Sequence, residues 1–323
     1  MDVLSEMLRV IRLDGALFFN AELSSPWCLR EPTSNEIAPY LSHDSSRVIL
    51  YHFVIDGQLY ARLPGQTRVK LGPGDIIVFP HGDQHFLSSG QPEKPVDALK
   101  TFSKNLSEGL KLTRFGGGGA VTRLVCGYLV CEPRLSDVVS SGLPKMLTVS
   151  LADEPSGLWL AESIRLLVGD EKTADAGRGV IMTKLSEVLF METLRRYIIA
   201  LPPDKTGWMA GARDPIVGQA LALMHGDPSQ EWSVAGLARQ VGISRSRLAE
   251  RFRQLLGESP MAYLAKWRLK LGVEELLSTN ESIAEVAAIV GYGSESSFNR
   301  AFRREFGQPP AQYRRRHRAA IAK

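Results

Sequence analysis

The chain has 323 residues, 44% hydrophobic and 23% charged, a composition ordinary for a globular protein of about two domains. It contains no run of about 18 apolar residues, which excludes a membrane-spanning helix, and no secretory signal at its start, so we expect a cytoplasmic protein. The net charge of +4 is uneven, because residues 214–323 hold 16 Lys and Arg against 11 Asp and Glu, whereas the other 213 residues hold 23 and 24. A basic third joined to a neutral part indicates a polyanion-binding module attached to something else.

The first half of the chain has the sequence pattern of an all-β domain. Short runs rich in β-branched and aromatic residues alternate with Gly, Pro, Asp and Ser turn signals, at residues 47–55, 58–63, 67–71, 75–80 and 122–131. Many short strands at this spacing predict a β-barrel or sandwich, which we assign to residues 1–150.

Residues 72–85, GPGDIIVFPHGDQH, resemble the second motif of cupin barrels. The matching positions are Gly74, Asp75, Pro80, Gly82 and His85. The resemblance implies a cupin-like, jelly-roll β-barrel. The first motif departs from metal-dependent cupins, which carry two His and a Glu there, whereas this chain has only His52, with Asp56 four residues on.

Three histidines are therefore candidate ligand-binding residues: His52, His81 and His85. His52 and His85 are also candidate ligands for Zn or Fe, because His is the commonest metal ligand and three ligands suffice for a catalytic-type site. The alternative is that they line a ligand pocket or pack inside the barrel, which the incomplete first motif favours.

After residue 150 the apolar period changes from 2 to 3.6. Residues 151–201 predict a helical connector, with one helix around 158–167 and a longer one from 180 to about 200. Residues 202–215 are rich in Pro and Gly and predict an interdomain linker.

The basic third contains an internal repeat. SVAGLARQVG at 233–242 matches SIAEVAAIVG at 282–291, and the segments that follow also match, as in Phe252/Phe302 and Gly257/Gly307. Each copy has a capping Ser, a short apolar-periodic run, a Gly-containing turn and a second run. This pattern predicts an all-α domain over 216–318 with two helix-turn-helix motifs, at about 233–256 and 282–306.

The second helix of each copy would pack inward through Leu248 and Phe252, or Phe298 and Phe302, at 100° per residue. The opposite face is suited to reading the major groove of double-stranded DNA. Its members are Ser246, Ala249, Glu250 and Arg253 in the first copy, and Ser296, Asn299, Arg300 and Arg303 in the second. Flanking arginines would contact phosphates. These are Arg245, Arg247, Arg251 and Arg304.

A linker helix is predicted to join the two motifs, from Pro260 to about Leu277. Such a helix is about 27 Å long and can hold the reading helices about 34 Å apart, one turn of DNA. Gly272 within it is expected to cost about 1 kcal/mol relative to Ala.

The stretch from about 214 to 316 closely resembles the DNA-binding domain of AraC/XylS-type transcriptional regulators, most specifically in GYGSESSFNRAFRREFG followed by PPAQYR. The resemblance implies a regulator, an activator more than a repressor, that contacts RNA polymerase. By the same resemblance, the base-facing positions are Ser246, Ala249, Glu250, Glu295, Ser296, Asn299 and Arg300. Ala249 and Glu250 depart from what a groove-reading helix needs, so the first helix reads bases weakly or through DNA shape.

The layout, a cupin-like sensor before an AraC-type reader, resembles a subgroup of these regulators. Its relatives dimerise through a helix after the barrel, which places Leu185 and Leu189 either on a homodimer face or against the barrel. The subgroup responds to a small-molecule inducer, and some members respond to an oxidant through cysteine.

Redox candidates here are Cys28, Cys126 and Cys131, too few for a disulfide scaffold. Cys126 and Cys131 are five residues apart, so a regular strand points them to opposite sides and disfavours a bond between them. The alternative is inert buried thiols.

A competing hypothesis is a metal-dependent cupin enzyme fused to a DNA reader. It needs the His and Glu ligands of the first cupin motif, and their absence disfavours it.

Overall fold

The computed structural model describes residues 13–41, 48–90, 93–106, 110–131, 143–169, 177–202 and 205–321. The chain divides into two compact units, one formed by Ile11–Ala200 and one containing Leu201–Lys323, called here the N-terminal and C-terminal units. In the described part, no helix is both long and apolar enough to cross a membrane.

In its described residues, the N-terminal unit contains eleven β-strands and four α-helices. The strands are β1 (Leu13–Ser24), β2 (Cys28–Glu31), β3 (Val48–Asp56), β4 (Leu59–Arg62), β5 (Val69–Leu71), β6 (Asp75–Phe79), β7 (His85–Ser88), β8 (Val96–Asp97), β9 (Leu112–Gly116), β10 (Val121–Cys131) and β11 (Leu147–Ser150). The helices are α1 (Ser34–Ile37), which continues into a short 3₁₀ turn, α2 (Ala98–Leu106), α3 (Pro155–Gly169) and α4 (Arg178–Ile199).

The strands form two open sheets, so the expectation of a closed barrel is wrong for the described residues. Sheet A has the order β11-β6-β3-β10-β1-β9, and sheet B has the order β5-β4-β7-β2-β8. The edge strands of sheet B, β5 and β8, have only three and two residues. Short edge strands are a common way to prevent a sheet edge from pairing with another chain. A jelly roll of two sheets needs such protection because, unlike a closed barrel, it keeps its edges.

The main core lies between the two sheets. It draws Leu50, Val54 and Leu124 from sheet A and Leu59 and Leu87 from sheet B, all about 1% exposed or less. Because side chains alternate along a strand, the even-numbered residues of β3 and β10 face this core.

The outer face of sheet A is covered by α4. The Tyr51 hydroxyl lies 2.9 Å from the Ser186 hydroxyl of α4, and Leu189 is fully buried. This covering explains why eight of the nine residues of β3 are buried, as a continuous apolar run rather than an alternating one. Leu189 therefore packs within its own unit, and large apolar side chains on other faces of the two helices stay exposed. These are Leu158, Trp159 and Leu166 on α3, and Val180, Ile181, Val188 and Ile199 on α4.

The C-terminal unit is helical in its described part. Its helices are α5 (Trp208–Arg213), α6 (Pro215–Gly226), α7 (Val234–Gln240), α8 (Arg245–Leu256), α9 (Pro260–Ser278), α10 (Ile283–Ile289), α11 (Glu295–Phe306) and α12 (Pro310–Ile321). Part of the segment expected to be linker is thus the helix α5, in which Trp208 and Met209 are buried. The segment was assigned to a linker because it is polar and rich in Gly, but it contains two large apolar side chains, Trp208 and Met209, that pack into the unit.

The internal repeat appears as two helix pairs with the same caps. Ser233 and Ser282 cap α7 and α10, and both accept a backbone N–H three residues on. Ser244 and Ser294 cap α8 and α11 in the same way, and both longer helices end at a glycine with positive φ.

Gly272 of α9 has a packing role that could not be predicted from the sequence around it. A Cβ atom built at Gly272 would lie 2.8 Å from the ring of Phe298, which is fully buried in α11. The glycine lets α9 approach α11 closely, so it is a requirement of the packing rather than a weak position.

Candidate functional site

Helices α8 and α11 each bury one face and expose the other. Leu248, Phe252, Phe298 and Phe302 are fully buried, as the helical periodicity predicts. Most of the candidate DNA-contacting side chains are exposed: Arg245, Ser246, Arg247, Glu250, Arg253, Glu295, Ser296, Arg300 and Arg303. Ala249 and Asn299 are half-buried. The structure thus presents on each helix one polar face of the kind that can enter a major groove.

Two polar side chains on these faces are already partnered. The Asn299 amide donates to the Glu295 carbonyl at 3.0 Å, and the Gln254 amide lies 3.4 Å from the Glu250 carboxylate. Arg300 and Arg303 are exposed beside Asn299, so α11 presents guanidinium groups together with an amide. These are the donor types that pair with guanine and adenine.

Arg251 behaves differently from the other arginines of α8. Its Nε and Nη2 atoms both donate to Asp214 Oδ2, at 2.9 and 2.5 Å. Burial opposes the charge of Asp214, but the hydrogen bonds from Arg251 and from two backbone amides lower the pKa of this carboxyl. The expected role of Arg251 as a phosphate contact has to compete with this ion pair.

A cluster of five buried polar side chains lies between the sheets of the N-terminal unit. His52 and Cys126 are direct cross-strand neighbours in sheet A, and Tyr128 follows Cys126 on the same face. Glu31 and His85 are direct neighbours in sheet B. All five are at most 4% exposed, so the fold brings together groups that are distant in sequence.

His85, His52 and Cys126 form a chain of hydrogen bonds in which the donor and the acceptor of each bond can be assigned. His85 Nδ1 lies 2.9 Å from the Asp83 carbonyl oxygen, which only accepts, so His85 carries its proton on Nδ1. His85 Nε2 is then bare and accepts from His52 Nε2, 2.7 Å away. His52 Nδ1 is in turn bare and accepts from the Cys126 thiol at 2.8 Å. This tautomer assignment satisfies every polar atom of the chain with neutral groups.

The electrostatics of the cluster agree with that assignment. Burial lowers the pKa of His85 to about 3 and also lowers the pKa of His52, so both imidazoles are neutral. Burial, together with the nearby Glu31 charge, raises the pKa of the Cys126 thiol. Burial raises the pKa of Glu31 to about 7, against a hydrogen bond from the Tyr128 hydroxyl that favours the carboxylate.

The histidine pair does not fit a metal ion in this arrangement. Two imidazole nitrogens bound to one Zn at about 2.0–2.1 Å in tetrahedral geometry lie more than 3 Å apart, farther than the 2.7 Å between the two Nε2 atoms. One of these nitrogens carries the shared proton. Among the described residues, no group of three or more His, Cys, Asp or Glu is arranged to hold a metal.

The remaining candidates lie outside this cluster. His81, the third candidate ligand-binding histidine, is exposed and its Nε2 lies 3.1 Å from the Leu143 carbonyl, so it does not join His52 and His85. Its position in the turn after β6 points it away from the core. Cys28 is a buried free thiol whose pKa is raised, chiefly by burial. The side chain of Cys131 falls outside the described residues.

Sequence reasoning missed Glu31, Tyr128 and Asp214. Glu31 and Tyr128 lie in no motif, and only the pairing of β2 with β7 and of β10 with β3 brings them to the histidines. Asp214 had a readable signal, since an Asp followed by Pro215 is a typical N-cap and first residue of a helix.

Comparisons with known proteins agree with both halves of this arrangement. Residues 2–199 match the family model described as Cupin, and residues 237–316 match a helix-turn-helix domain. An AraC-like transcription regulator of Streptomyces lividans is 29% identical over 98% of both chains. Another, of Streptomyces antibioticus, is 30% identical over 84% of this chain and 88% of its own. The RCS-specific HTH-type transcriptional activator RclR of Escherichia coli is 27% identical over 98% of this chain and 99% of its own. The chain therefore belongs to the AraC-type regulators with an N-terminal cupin domain, and it is a DNA-binding transcriptional regulator rather than an enzyme.

Proposed function

We propose that this regulator is an activator that reads two successive major grooves with α8 and α11, as two helix-turn-helix motifs joined by the linker helix α9. The observation that carries the proposal is the repetition of the same capped helix pair, with an exposed polar face on each longer helix. Helix α9 has 19 residues, about 28 Å, which suits two reading helices one DNA turn apart.

Selection of duplexes from a randomised library by the full-length protein tests this proposal. We expect an enriched motif with two half-sites whose centres are about 10–10.5 base pairs apart. Enrichment of a single half-site, or of no sequence, would contradict the two-groove model. Mapping of bound sites in the genome, followed by transcript measurements with and without the protein, then separates an activator, which recruits RNA polymerase, from a repressor.

The N-terminal unit is the proposed sensor of a small-molecule inducer or an oxidant. Support comes from the five-residue polar cluster, which is closed off between two apolar sheet faces in a unit that the cupin model covers. Buried, fully paired polar networks specify one arrangement of their core, and a ligand or a covalent change that disturbs one pairing shifts that arrangement. We place this sensing in the cytoplasm, beside the DNA.

The Cys126–His52 contact favours an oxidant over other signals. At rest this pair is a neutral thiol and a neutral imidazole, because burial raises the pKa of Cys126 and lowers the pKa of His52. Oxidants attack the thiolate, and the existing contact gives the thiol proton an acceptor in His52 Nδ1. The name of the relative RclR adds support, because it describes an RCS-specific activator. A reporter strain exposed to hypochlorite tests the idea: Cys126→Ser should abolish the response, whereas Cys28→Ser should retain it. A full response in Cys126→Ser would dismiss Cys126 as the sensor.

We also propose a homodimer formed through α3 and α4. Trp159 and Leu166 are more than 60% exposed and Ile181 is 52% exposed, and such clusters of exposed large apolar residues mark interaction surfaces. Of the two leucines considered from the sequence, Leu189 is buried within its own unit, which is the alternative the sequence left open, and Leu185 is half-buried.

A further inference from the structure

Arg251 of the DNA-facing helix α8 is held by the buried carboxylate of Asp214, which lies at the start of α6. Asp214 uses its two carboxylate oxygens for two tasks. Oδ1 accepts from the Ile216 and Val217 amides and so caps α6, while Oδ2 accepts from Arg251 of α8. One side chain therefore ties the start of α6 to the middle of α8.

The environment of this pair favours its persistence. The Asp214 side chain is only 6% exposed, and a buried carboxylate without a partner is strongly destabilising. The Arg251 side chain is 45% exposed, but using it as a mobile phosphate contact would leave the Asp214 charge uncompensated. The N-terminus of α6 adds a favourable dipole for the same carboxylate.

A second contact holds the C-terminal end of α8. The Gly207 amide, directly before α5, donates at 2.6 Å to the Leu255 carbonyl, one of the carbonyls that a helix end leaves without an intrahelical partner. Trp208 is buried and its indole nitrogen donates to the Tyr263 hydroxyl at 2.8 Å, which fixes α5 in place. A Cβ at Gly211 would lie 2.9 Å from the Leu256 side chain, so α5 and the end of α8 are in close contact.

Both contacts come from residues that precede the matched helix-turn-helix domain at 237–316. Building on the proposed function, in which α8 enters a major groove, we propose that α5 and Asp214 form a positioning clamp that sets the orientation of α8 there, and that Arg251 is a positioning residue instead of a DNA contact. The clamp matters for specificity because Ala249 and Glu250 offer α8 few groups for strong base pairing, so its fit to the groove depends on its placement.

The test measures binding of the full-length protein to two labelled duplexes of about 30 base pairs, one selected from a randomised library and one random. The variants are Arg251→Ala, Asp214→Asn and the double variant, with Arg247→Ala as the matched control for an exposed arginine of the same helix. Asp214→Asn keeps an N-cap side chain on α6 while removing the charge, so it remains informative where Arg251→Ala weakens folding.

We expect Arg251→Ala and Asp214→Asn each to weaken binding to the selected duplex about tenfold, and the double variant to lose about the same. Binding to the random duplex should change less than twofold, and the slope of log Kobs against log salt should stay unchanged. Arg247→Ala should weaken both duplexes equally and lower the magnitude of that slope by about one.

Three results would overturn the proposal. A fall of about one in the salt slope with Arg251→Ala would make Arg251 a phosphate contact. Equal losses of binding affinity for both duplexes would show that the Asp214–Arg251 pair only stabilises the fold. Losses that add in the double variant would mean that the two residues do not act together.

Discussion

Replacement of Glu31 by Gln tests the buried cluster most directly. Glu31 is 3% exposed, and burial raises its pKa from 4.5 to about 7. At about 1.4 kcal/mol for each pH unit, this difference corresponds to about 3 kcal/mol between the folded and unfolded chains. Because the folded pKa is the higher one, the stability that the protonated carboxyl contributes is complete below about pH 4.5 and is lost as the pH rises through about 7.

Glutamine has the shape of the protonated carboxyl and does not titrate. We therefore expect Glu31→Gln to match the wild-type N-terminal unit near pH 4.5 and to exceed its unfolding free energy by about 3 kcal/mol at about pH 8. Pulse proteolysis of the full-length protein across a urea series, scored on fragments of the N-terminal unit, measures this difference. Glu162→Gln, on the exposed side of α3, is the control and should run parallel to wild type. A Glu31→Gln profile parallel to wild type from about pH 4.5 to 8 would refute the reasoning.

Three further predictions concern other parts of the chain. Arg300→Ala should weaken binding to a selected duplex by about 1–3 kcal/mol more than binding to a random one, measured by fluorescence anisotropy, and equal losses would reassign it to phosphate. Gly272→Ala should destabilise the C-terminal unit by about 1–3 kcal/mol in urea unfolding, because the added methyl meets the Phe298 ring; a gain of about 1 kcal/mol would show an ordinary helix glycine. Trp159→Glu should shift a homodimer to monomer in sedimentation equilibrium without loss of helicity, and an unchanged mass would place the interface elsewhere.

Local patterns in the sequence were sufficient for much of the fold. Strands β3, β4, β5, β6 and β10 fall where the β-rich runs predict, because each run is apolar and bounded by turn residues. All four helices of the repeat follow a capping Ser, and the two longer ones end at Gly257 and Gly307, for the same local reason. Strands β1 and β9 were not predicted, because β1 contains Asp14, Gly15 and Asn20, which are uncommon in strands, and β9 is only five residues long with Arg114 at its centre.

The contacts between distant segments could not be read from the sequence. The histidines were visible through the cupin motif, but their direct hydrogen bond, and hence the poor fit to a metal, depends on the spacing of two sheets. Likewise, the sequence offered Arg251 only as a flanking arginine for phosphate contact, and only the docking of α6 supplies the buried carboxylate that holds it. Periodicity gives the direction of a side chain, whereas its partner is a property of the tertiary packing.

The two DNA-facing helices consequently differ in how they contribute to specificity. On α11, Arg300 and Arg303 present guanidinium donors to solvent beside Asn299, whose amide donates to Glu295 of the same helix, and each good bidentate pair with a base discriminates by about 1–3 kcal/mol. On α8, the corresponding face retains Ser246 and Arg253, but it has Ala249 and Glu250 where α11 has Asn299 and Arg300, so it offers fewer such donors. A helix of this kind contributes through phosphate contacts and through DNA shape, and both require that it be held at a fixed depth in the groove. We therefore expect the half-site contacted by α11 to hold most of the base preference in the selected motif.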